Sequence, residues 1–141
     1  IVTFANFNTA GHIEFEIQGP YENDMALMKT DIQAWKQLTD PYGRQRKVLF
    51  SVGGQNGHWP EGLTEEQVLS ETVAFIGEYD LDGLDVDLEG SAVSSADTLL
   101  PTVQHLKSSG YLVTAAPEAA QGPLNAYAGI LPSLDWVHPQ F

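Results

Sequence analysis

Five short apolar runs alternate with segments of helical periodicity along the chain. The runs are rich in β-branched and aromatic residues, as buried strands are, and they span Ile1–Phe7, Lys47–Gly54, Tyr79–Gly90, Tyr111–Pro117 and Leu134–Phe141. A dozen or more residues separate successive runs, and strands joined by crossovers of that length run parallel when they share a sheet. The alternation therefore predicts an α/β protein.

The segments between these runs carry start signals for helices. Asn23–Asp24 supplies candidate caps for the first helix. Thr64 and Gln67 predict a capping box at the start of the second. The apolar face of that second helix is predicted to contain Val68, Leu69, Thr72, Val73 and Ile76. Pro101 lies either in the first turn of a third helix or at a kink in a longer one.

Two architectures contain a parallel sheet of this kind: a doubly wound open sheet and part of a (β/α)8 barrel. The open sheet predicts a phosphate-binding G-x-G-x-x-G turn after the first strand, but Asn8–His12 lacks that spacing. The barrel is therefore favoured. A complete barrel takes about 250 residues, so residues 1–141 are predicted to be an incomplete part of a single barrel domain.

The chain is strongly acidic. Six Lys and Arg residues against nineteen Asp and Glu residues give a net charge of −13, which repels phosphate backbones and anionic lipid surfaces. Nucleic acid and membrane partners are therefore not expected. The lack of cysteine excludes disulfides and thiolate zinc sites, and the histidines at positions 12, 58, 105 and 138 have no metal-ligand spacing. We expect neither a metal nor a cofactor.

The third run carries five carboxylates in twelve residues. Because successive side chains of a strand point to opposite faces, the apolar residues at 84, 86 and 88 share one face, and Asp85, Asp87 and Glu89 share the other. We call these three residues the carboxylate ladder. In a barrel the ladder points inward and rises toward the carboxyl rim, where catalytic groups lie. Like charges in a shielded site raise one another's pKa, so Glu89, nearest the rim, is predicted to be a protonated acid at neutral pH.

Other interpretations of these carboxylates stay open. A solvated edge strand has the same composition, although its second face would be less uniformly apolar. The segment Asp80–Gly83 suggests a calcium loop, but an EF-hand places a third ligand where Leu84 stands and its glycine after that ligand. A magnesium site formed by Asp85 and Asp87 is also compatible with the residues, although no phosphate-cradling turn accompanies it.

Two segments together resemble glycoside hydrolase family 18, the chitinase family. Asp82–Glu89 matches the D-G-x-D-x-D-x-E signature at every specified position, and Ser51–Gly54 matches the S-x-G-G signature one β–α unit earlier. Thr114–Glu118 resembles the fifth-strand T-x-A-P-[EQ] segment, and Pro139–Phe141 resembles a sixth strand that usually reads Q-[FY]-Y-N. The last two segments point to the compact subgroup shared by many bacterial chitinases and the class III, hevamine-like enzymes.

The resemblance implies a partial (β/α)8 barrel carrying strands two to six of eight. It also implies retaining hydrolysis of β-1,4-linked N-acetylglucosamine polymers, in which the N-acetyl oxygen of the substrate attacks the anomeric carbon to form an oxazolinium intermediate. Glu89 is then the acid that protonates the glycosidic oxygen and later activates water. Asp87 orients the acetamide, and Asp85 shares a proton or hydrogen bond with Asp87.

The resemblance implies further residues that bind substrate or support the site. Ser51 and Gly53 face inward, and Ser51 is expected to form a hydrogen bond with the aspartate pair. Phe4 matches a phenylalanine that lines the sugar-binding floor after a non-proline cis peptide, or it is an ordinary core residue. Gln140 matches a polar group near the acetamide, and Trp59 is a candidate for stacking on a sugar ring. The glycine pair either ends its strand or lets a sugar approach the backbone.

Two other functions are compatible with the same motifs. One is an endo-β-N-acetylglucosaminidase acting on N-glycans, which uses the same acid and the same acetamide chemistry. The other is a non-catalytic chitinase-like lectin or inhibitor, against which the presence of Glu89 and Asp87 counts. The chain is expected to be an internal fragment, inactive by itself, of a secreted and monomeric enzyme.

Overall fold

A computed structural model describes residues 1–17, 19–57 and 59–141. Within these ranges the chain forms one six-stranded sheet. Its strands are β1 (Val2–Phe7), β2 (Ile13–Phe15), β3 (Leu49–Gly54), β4 (Gly83–Leu88), β5 (Leu112–Ala115) and β6 (Trp136–Val137). The helices are α1 (Met25–Gln37), α2 (Glu65–Tyr79), α3 (Leu100–Ser108) and α4 (Gln121–Ala126), and a 3₁₀ segment spans Gly90–Leu99. Among the described residues, no helix is long and apolar enough to cross a membrane.

The strands lie in the order β2-β1-β3-β4-β5-β6. From β1 to β6 every neighbouring pair is parallel. Apart from β2, the strands follow one another in chain order, as they do around one side of a (β/α)8 barrel. This confirms the predicted α/β class and the partial barrel.

Strand β2 is a feature that the sequence did not predict. It pairs antiparallel with β1. Only three residues long, it is too short to show a periodicity. The turn before it is held by Asn8, whose Oδ1 accepts hydrogen bonds from the backbone N–H groups of Ala10 and His12.

The helix start signals are confirmed. Asp24 caps α1 by accepting a hydrogen bond from the N–H of Leu27 at 2.9 Å. Thr64 and Gln67 form the predicted capping box at the start of α2. Pro101 lies in the first turn of α3, where its missing N–H costs no helical hydrogen bond.

The apolar core lies between the sheet and the helices. One face of β3 and β4 is at most 2% exposed and consists of Phe50, Val52, Leu84, Val86 and Leu88. The predicted apolar face of α2 is wrong at Val73, which is 36% exposed. The helix instead turns Phe75 and Tyr79 toward the sheet. The Phe75 ring lies 4.9 Å from that of Phe50, and these larger side chains bury more apolar area than Val73 could.

The last parallel strand is present but shorter than the predicted Leu134–Phe141, because regular pairing with β5 is confined to β6. Beyond β6, a single parallel bridge joins Glu118 to Gln140. Gln140 is thereby held beside the extension of β5. This bridge brings the end of the chain to the carboxyl end of the sheet.

Candidate active site

Strand β4 is buried along its whole length and separates two kinds of side chain. Its apolar residues face the core, as parity predicted. On the opposite face Asp85 is 3% exposed and Asp87 is 7% exposed. Glu89 follows the last residue of the strand and is half-buried. The carboxylate ladder therefore exists as predicted, with Glu89 at the carboxyl end of the sheet.

Asp85 lies between hydroxyl groups from both neighbouring strands. The Ser51 hydroxyl donates to Oδ2 of Asp85 at 2.7 Å, and the Thr114 hydroxyl donates to Oδ1. Both contacts follow from the register, which places Ser51 and Thr114 directly beside Asp85 on β3 and β5. The predicted hydrogen bond from Ser51 to the aspartate pair is thus present. Thr114 was not predicted as a site residue, although it opens the T-x-A-P segment and has the inward parity.

Asp87 is held by the end of the chain. The side-chain amide of Gln140 donates to Oδ1 of Asp87 at 2.6 Å and to the carbonyl of Ala116 at 2.6 Å. The second bond fixes the amide against the extension of β5. Asp87 and Asp85 thus have separate hydrogen-bond donors on neighbouring segments, and the sharing of a proton or hydrogen bond between them stays a prediction.

The electrostatic cost of the carboxylate ladder is visible at Asp87. Burial, followed by the charges of Glu89 and Asp85, raises the pKa of Asp87 from 3.8 to about 6, and the hydrogen bond from Gln140 opposes that rise. Asp87 therefore changes charge near pH 6. Burial is the main cause of this shift, and the two carboxylates on either side add to it.

Glu89 has a different environment. It has an extended backbone (φ −120°, ψ 164°) and immediately precedes the 3₁₀ segment. Within the part of the chain that the structure describes, its carboxyl group receives no hydrogen bond. The group is thus accessible to a reactant at the carboxyl end of the sheet, which a general acid requires.

The glycine pair is needed for close packing of protein groups. A Cβ at position 53 would lie 2.1 Å from the carbonyl oxygen of Asp87, and Gly53 has φ +115°. A Cβ at Gly54 would lie 2.8 Å from the ring of Phe4. The Thr3–Phe4 peptide bond is cis, as the family resemblance implied. Phe4 therefore packs against the end of β3, and Gly53 packs against β4 at Asp87.

Asn6 is a further residue of this region that the sequence did not indicate. It is 3% exposed, and its side-chain amide donates to Glu16 at 3.0 Å and to the carbonyl of Gly53 at 3.2 Å. It lies two residues after Phe4 and thus has the same parity, which is the signal that could have identified it. Asn6 links β1 to the end of β3 beside Asp87.

Trp59 is half-buried rather than exposed on its loop. Its ring centroid lies 5.0 Å from that of Phe7. Phe7 shares the parity of Ala5, which pairs with the core residue Val52, so this contact lies on the helix-facing side of the sheet. The structure does not bring Trp59 to the carboxylate ladder, and its stacking on a sugar stays a prediction.

The remaining acidic residues of the motif lie at the other end of β4. Asp82 accepts hydrogen bonds from the N–H of Val48 and the ammonium group of Lys47. Asp80 forms an ion pair with Lys36 at 3.0 Å. Both residues therefore support the strand entrance. His58 lies outside the described residues, and the remainder of the chain contains no group of three or more side chains that could hold a metal ion.

Comparison with known proteins agrees with this geometry. The model of the family described as "Glycosyl hydrolases family 18" matches residues 1–141. The chain belongs to glycosyl hydrolase family 18.

Relatives and solved structures of family 18 resemble the chain over most of its length. It is 34% identical to chitinase Chi52 of Paenibacillus xylanexedens, with 78% of this chain and 24% of that protein covered. It is 31% identical to chitinase D of Niallia circulans, with 82% and 26% covered. A family 18 chitinase from Chromobacterium violaceum has a TM-score of 0.72 and 25% identity, covering 99% of this chain and 41% of the other. The chain thus spans about a quarter of the length of the first two relatives.

The structure explains why this family 18 segment has glycine at position 53, and substitution should expose the constraint. We expect Gly53→Ala to lower the free energy of unfolding by about 2–5 kcal/mol, because it combines backbone strain with a clash against β4. Gly62→Ala is the matched control, since Gly62 has φ +82° but open space around it. Its cost should be about 1–2 kcal/mol. Equal costs in denaturant unfolding would contradict the proposed clash.

The raised pKa of Asp87 predicts a pH dependence of stability. The folded state binds this proton more tightly than the unfolded chain, so the stabilisation is complete below about pH 4 and is lost as the pH rises through about 6. Asp87→Asn should remove that loss, a relative gain on the order of 1–3 kcal/mol between pH 4 and 7. Urea unfolding across this range measures it. Asp97→Asn, at an exposed position, is the control. If the stability of Asp87→Asn changed with pH in parallel with that of wild type, the assignment of the raised pKa to Asp87 would be refuted.

Proposed function

We propose that the protein carrying this chain hydrolyses β-1,4-linked N-acetylglucosamine polymers with retention of configuration, through assistance by the substrate's acetamide. The observation that carries the proposal is the carboxylate ladder, in which Asp85 and Asp87 are buried and anchored while Glu89, half-buried at the carboxyl end of β4, accepts no hydrogen bond from the described residues. Membership of family 18 and the two chitinase relatives support the same substrate class.

The first step is the departure of the leaving sugar. Glu89 gives its proton to the glycosidic oxygen as the bond to the anomeric carbon breaks, and the acetamide carbonyl oxygen of the substrate attacks that carbon to form an oxazolinium ion. In the second step Glu89 takes a proton from water. The water oxygen attacks the anomeric carbon and opens the oxazolinium ring. Two displacements on opposite faces return the original configuration.

Asp87 is proposed to hold the acetamide in the attacking orientation. Its carboxylate accepts the acetamide N–H and stabilises the positive charge of the oxazolinium ion. Asp85 and its two hydroxyl donors keep a second negative charge below Asp87. The charge of Asp85 disfavours ionisation of Asp87 in the free protein. In the transition state the developing positive charge of the oxazolinium ion offsets that repulsion and stabilises the Asp87 carboxylate.

The other proposed residues act around this pair. Gln140 fixes Asp87 and has a further role near the acetamide, and Ser51 acts through Asp85. Phe4 and Gly53 contribute to the floor of the sugar site, and Trp59 to ring stacking. We further propose that residues 1–141 are part of one catalytic barrel domain of the compact, hevamine-like subgroup, in a secreted and monomeric protein whose activity requires the complete barrel.

Removal of the acid tests the assignment of Glu89. In the full-length protein Glu89→Gln should lower turnover of chitooligosaccharides by about 100- to 10,000-fold, because the amide cannot supply the proton. The measurement is reducing-sugar release from chitin and from a defined oligosaccharide. The exposed Glu22→Gln is the matched control and should retain wild-type turnover. Normal turnover by the Glu89 variant would overturn the assignment.

The stereochemistry of the product tests the mechanism separately. Substrate assistance predicts that the β-anomer forms first and then mutarotates, which proton NMR of a fresh reaction resolves. Initial release of the α-anomer would exclude this mechanism. Release of N-glycans from a glycoprotein without hydrolysis of chitin would instead identify an endo-β-N-acetylglucosaminidase, and tight binding of both without hydrolysis would identify a lectin.

A further inference from the structure

The hydroxyl group of Tyr127 lies on the backbone of β4, one residue before Glu89. Tyr127 is 0% exposed and follows the last residue of α4. The backbone N–H of Leu88 donates to its hydroxyl oxygen at 2.6 Å. The hydroxyl in turn faces the carbonyl of Leu88 at 3.1 Å and that of Val86 at 3.4 Å.

This contact supplies hydrogen bonds at the point where the backbone pairing between β4 and β5 ends. The N–H of Ala116 donates to the carbonyl of Val86 at 2.9 Å. Backbone groups two residues apart in a strand face the same neighbour, so the N–H and C=O of Leu88 also face toward β5. The segment beyond β5 pairs instead with the segment beyond β6, where the N–H of Ala119 donates to the carbonyl of Gln140. Without a strand beside it, Leu88 relies on the hydroxyl of Tyr127.

The hydroxyl suits both groups of Leu88 because it stays protonated. Burial raises the pKa of Tyr127 above its ordinary value, and a neutral phenol donates one hydrogen bond while it accepts others. Its oxygen therefore accepts a hydrogen bond from the N–H of Leu88, and its O–H donates a hydrogen bond to a carbonyl of the same strand. A phenylalanine of the same shape would leave both buried groups without this partner.

The backbone around Tyr127 is itself held in place. Its N–H donates to the carbonyl of Pro123, and its carbonyl accepts from the N–H groups of Ile130 and Leu131. The ring is thus carried by a hydrogen-bonded turn that packs against the end of β4. The hydroxyl sits on a rigid support rather than on a free loop.

We propose that Tyr127 is a positioning residue for Glu89, holding the last peptide of β4 so that the acid stands at a fixed height above Asp87. The proposal rests on the function proposed above, since it assigns to Glu89 the role of acid. The Tyr127 hydroxyl makes its hydrogen bonds with backbone groups of β4 and acts through the strand. Nothing in the motifs that carry the resemblance includes it.

Kinetics of Tyr127→Phe in the full-length protein test this role. Because small displacements of a catalytic group reduce turnover steeply, we expect kcat to fall by about 10- to 100-fold, with KM for a chitooligosaccharide within about twofold of wild type. Tyr21→Phe is the matched control. It also deletes a tyrosine hydroxyl bond, 2.8 Å to Asp31, but this bond is made to α1 and not to β4, so the variant should keep wild-type kcat. Equal kcat in both variants overturns the proposal.

Amide hydrogen exchange by NMR provides a measurement that needs no turnover. In the wild-type protein the N–H of Leu88 should exchange as slowly as that of Val86, and in Tyr127→Phe it should exchange faster while Val86 stays protected. The side-chain carboxyl resonance of Glu89 should shift in Tyr127→Phe and not in Tyr21→Phe. Rapid exchange of Leu88 in wild type, or an unmoved Glu89 resonance, overturns the proposal.

The two readouts separate the possible failures. A wild-type protein that hydrolyses no chitooligosaccharide contradicts the proposed function, while the exchange and resonance data still decide whether Tyr127 positions Glu89. If Tyr127→Phe does not fold, the wild-type exchange rate of Leu88 decides the matter alone, with protection supporting the contact and rapid exchange refuting it.

Discussion

The centre of the sheet is organised by the need to give buried carboxylates polar partners. An unpaired charge at the position of Asp85 would be costly, because little solvent reaches it. The parallel register meets this need by placing Ser51 and Thr114 on either side of Asp85. Each neighbouring strand thus contributes one donor at the same level. The hydroxyls make a buried aspartate compatible with a strand whose other face is wholly apolar.

The number of hydrogen bonds that each carboxylate of the ladder accepts from the protein decreases toward the rim. Asp85 accepts hydrogen bonds from two buried side chains, Asp87 from one, and Glu89 from none within the described ranges. Three acidic groups of similar intrinsic chemistry are thereby given different environments. Glu89, the group nearest the rim, is the one left open to a reactant. Burial and the charges of both neighbours raise the pKa of Asp87, the middle group.

Much of this arrangement could be predicted from the sequence, because it follows from local rules. Strand parity places Asp85, Asp87 and Glu89 on one face, and the capping box of Thr64 depends on residues three positions apart. Contacts between distant segments are another matter. The pairing of Thr114 with Asp85 depends on register, and the contact of Tyr127 with Leu88 depends on where β5 diverges from β4. Neither leaves a periodic trace in the sequence.

The errors have equally physical causes. Strand β2 is too short for alternation to show, and its turn depends on a side chain, Asn8, that also occurs in ordinary loops. Trp59 follows a polar, glycine-rich segment that gives no sign of a buried contact, yet its ring packs against that of Phe7. Phe75 is buried against the sheet where Val73 was predicted, since burying an aromatic ring removes more apolar surface from water than burying valine. Composition alone does not rank such competitors.

The hydrogen bond between Gln140 and Asp87 joins residues 53 positions apart. Chain entropy opposes the closure of so long a loop, so such a contact forms only when other parts of the sheet already support it. A chain emerging from the ribosome cannot complete the surroundings of Asp87 before residue 140 has been added. Competence to bind an acetamide in the proposed orientation is therefore a property of the assembled sheet and not of the acidic strand itself.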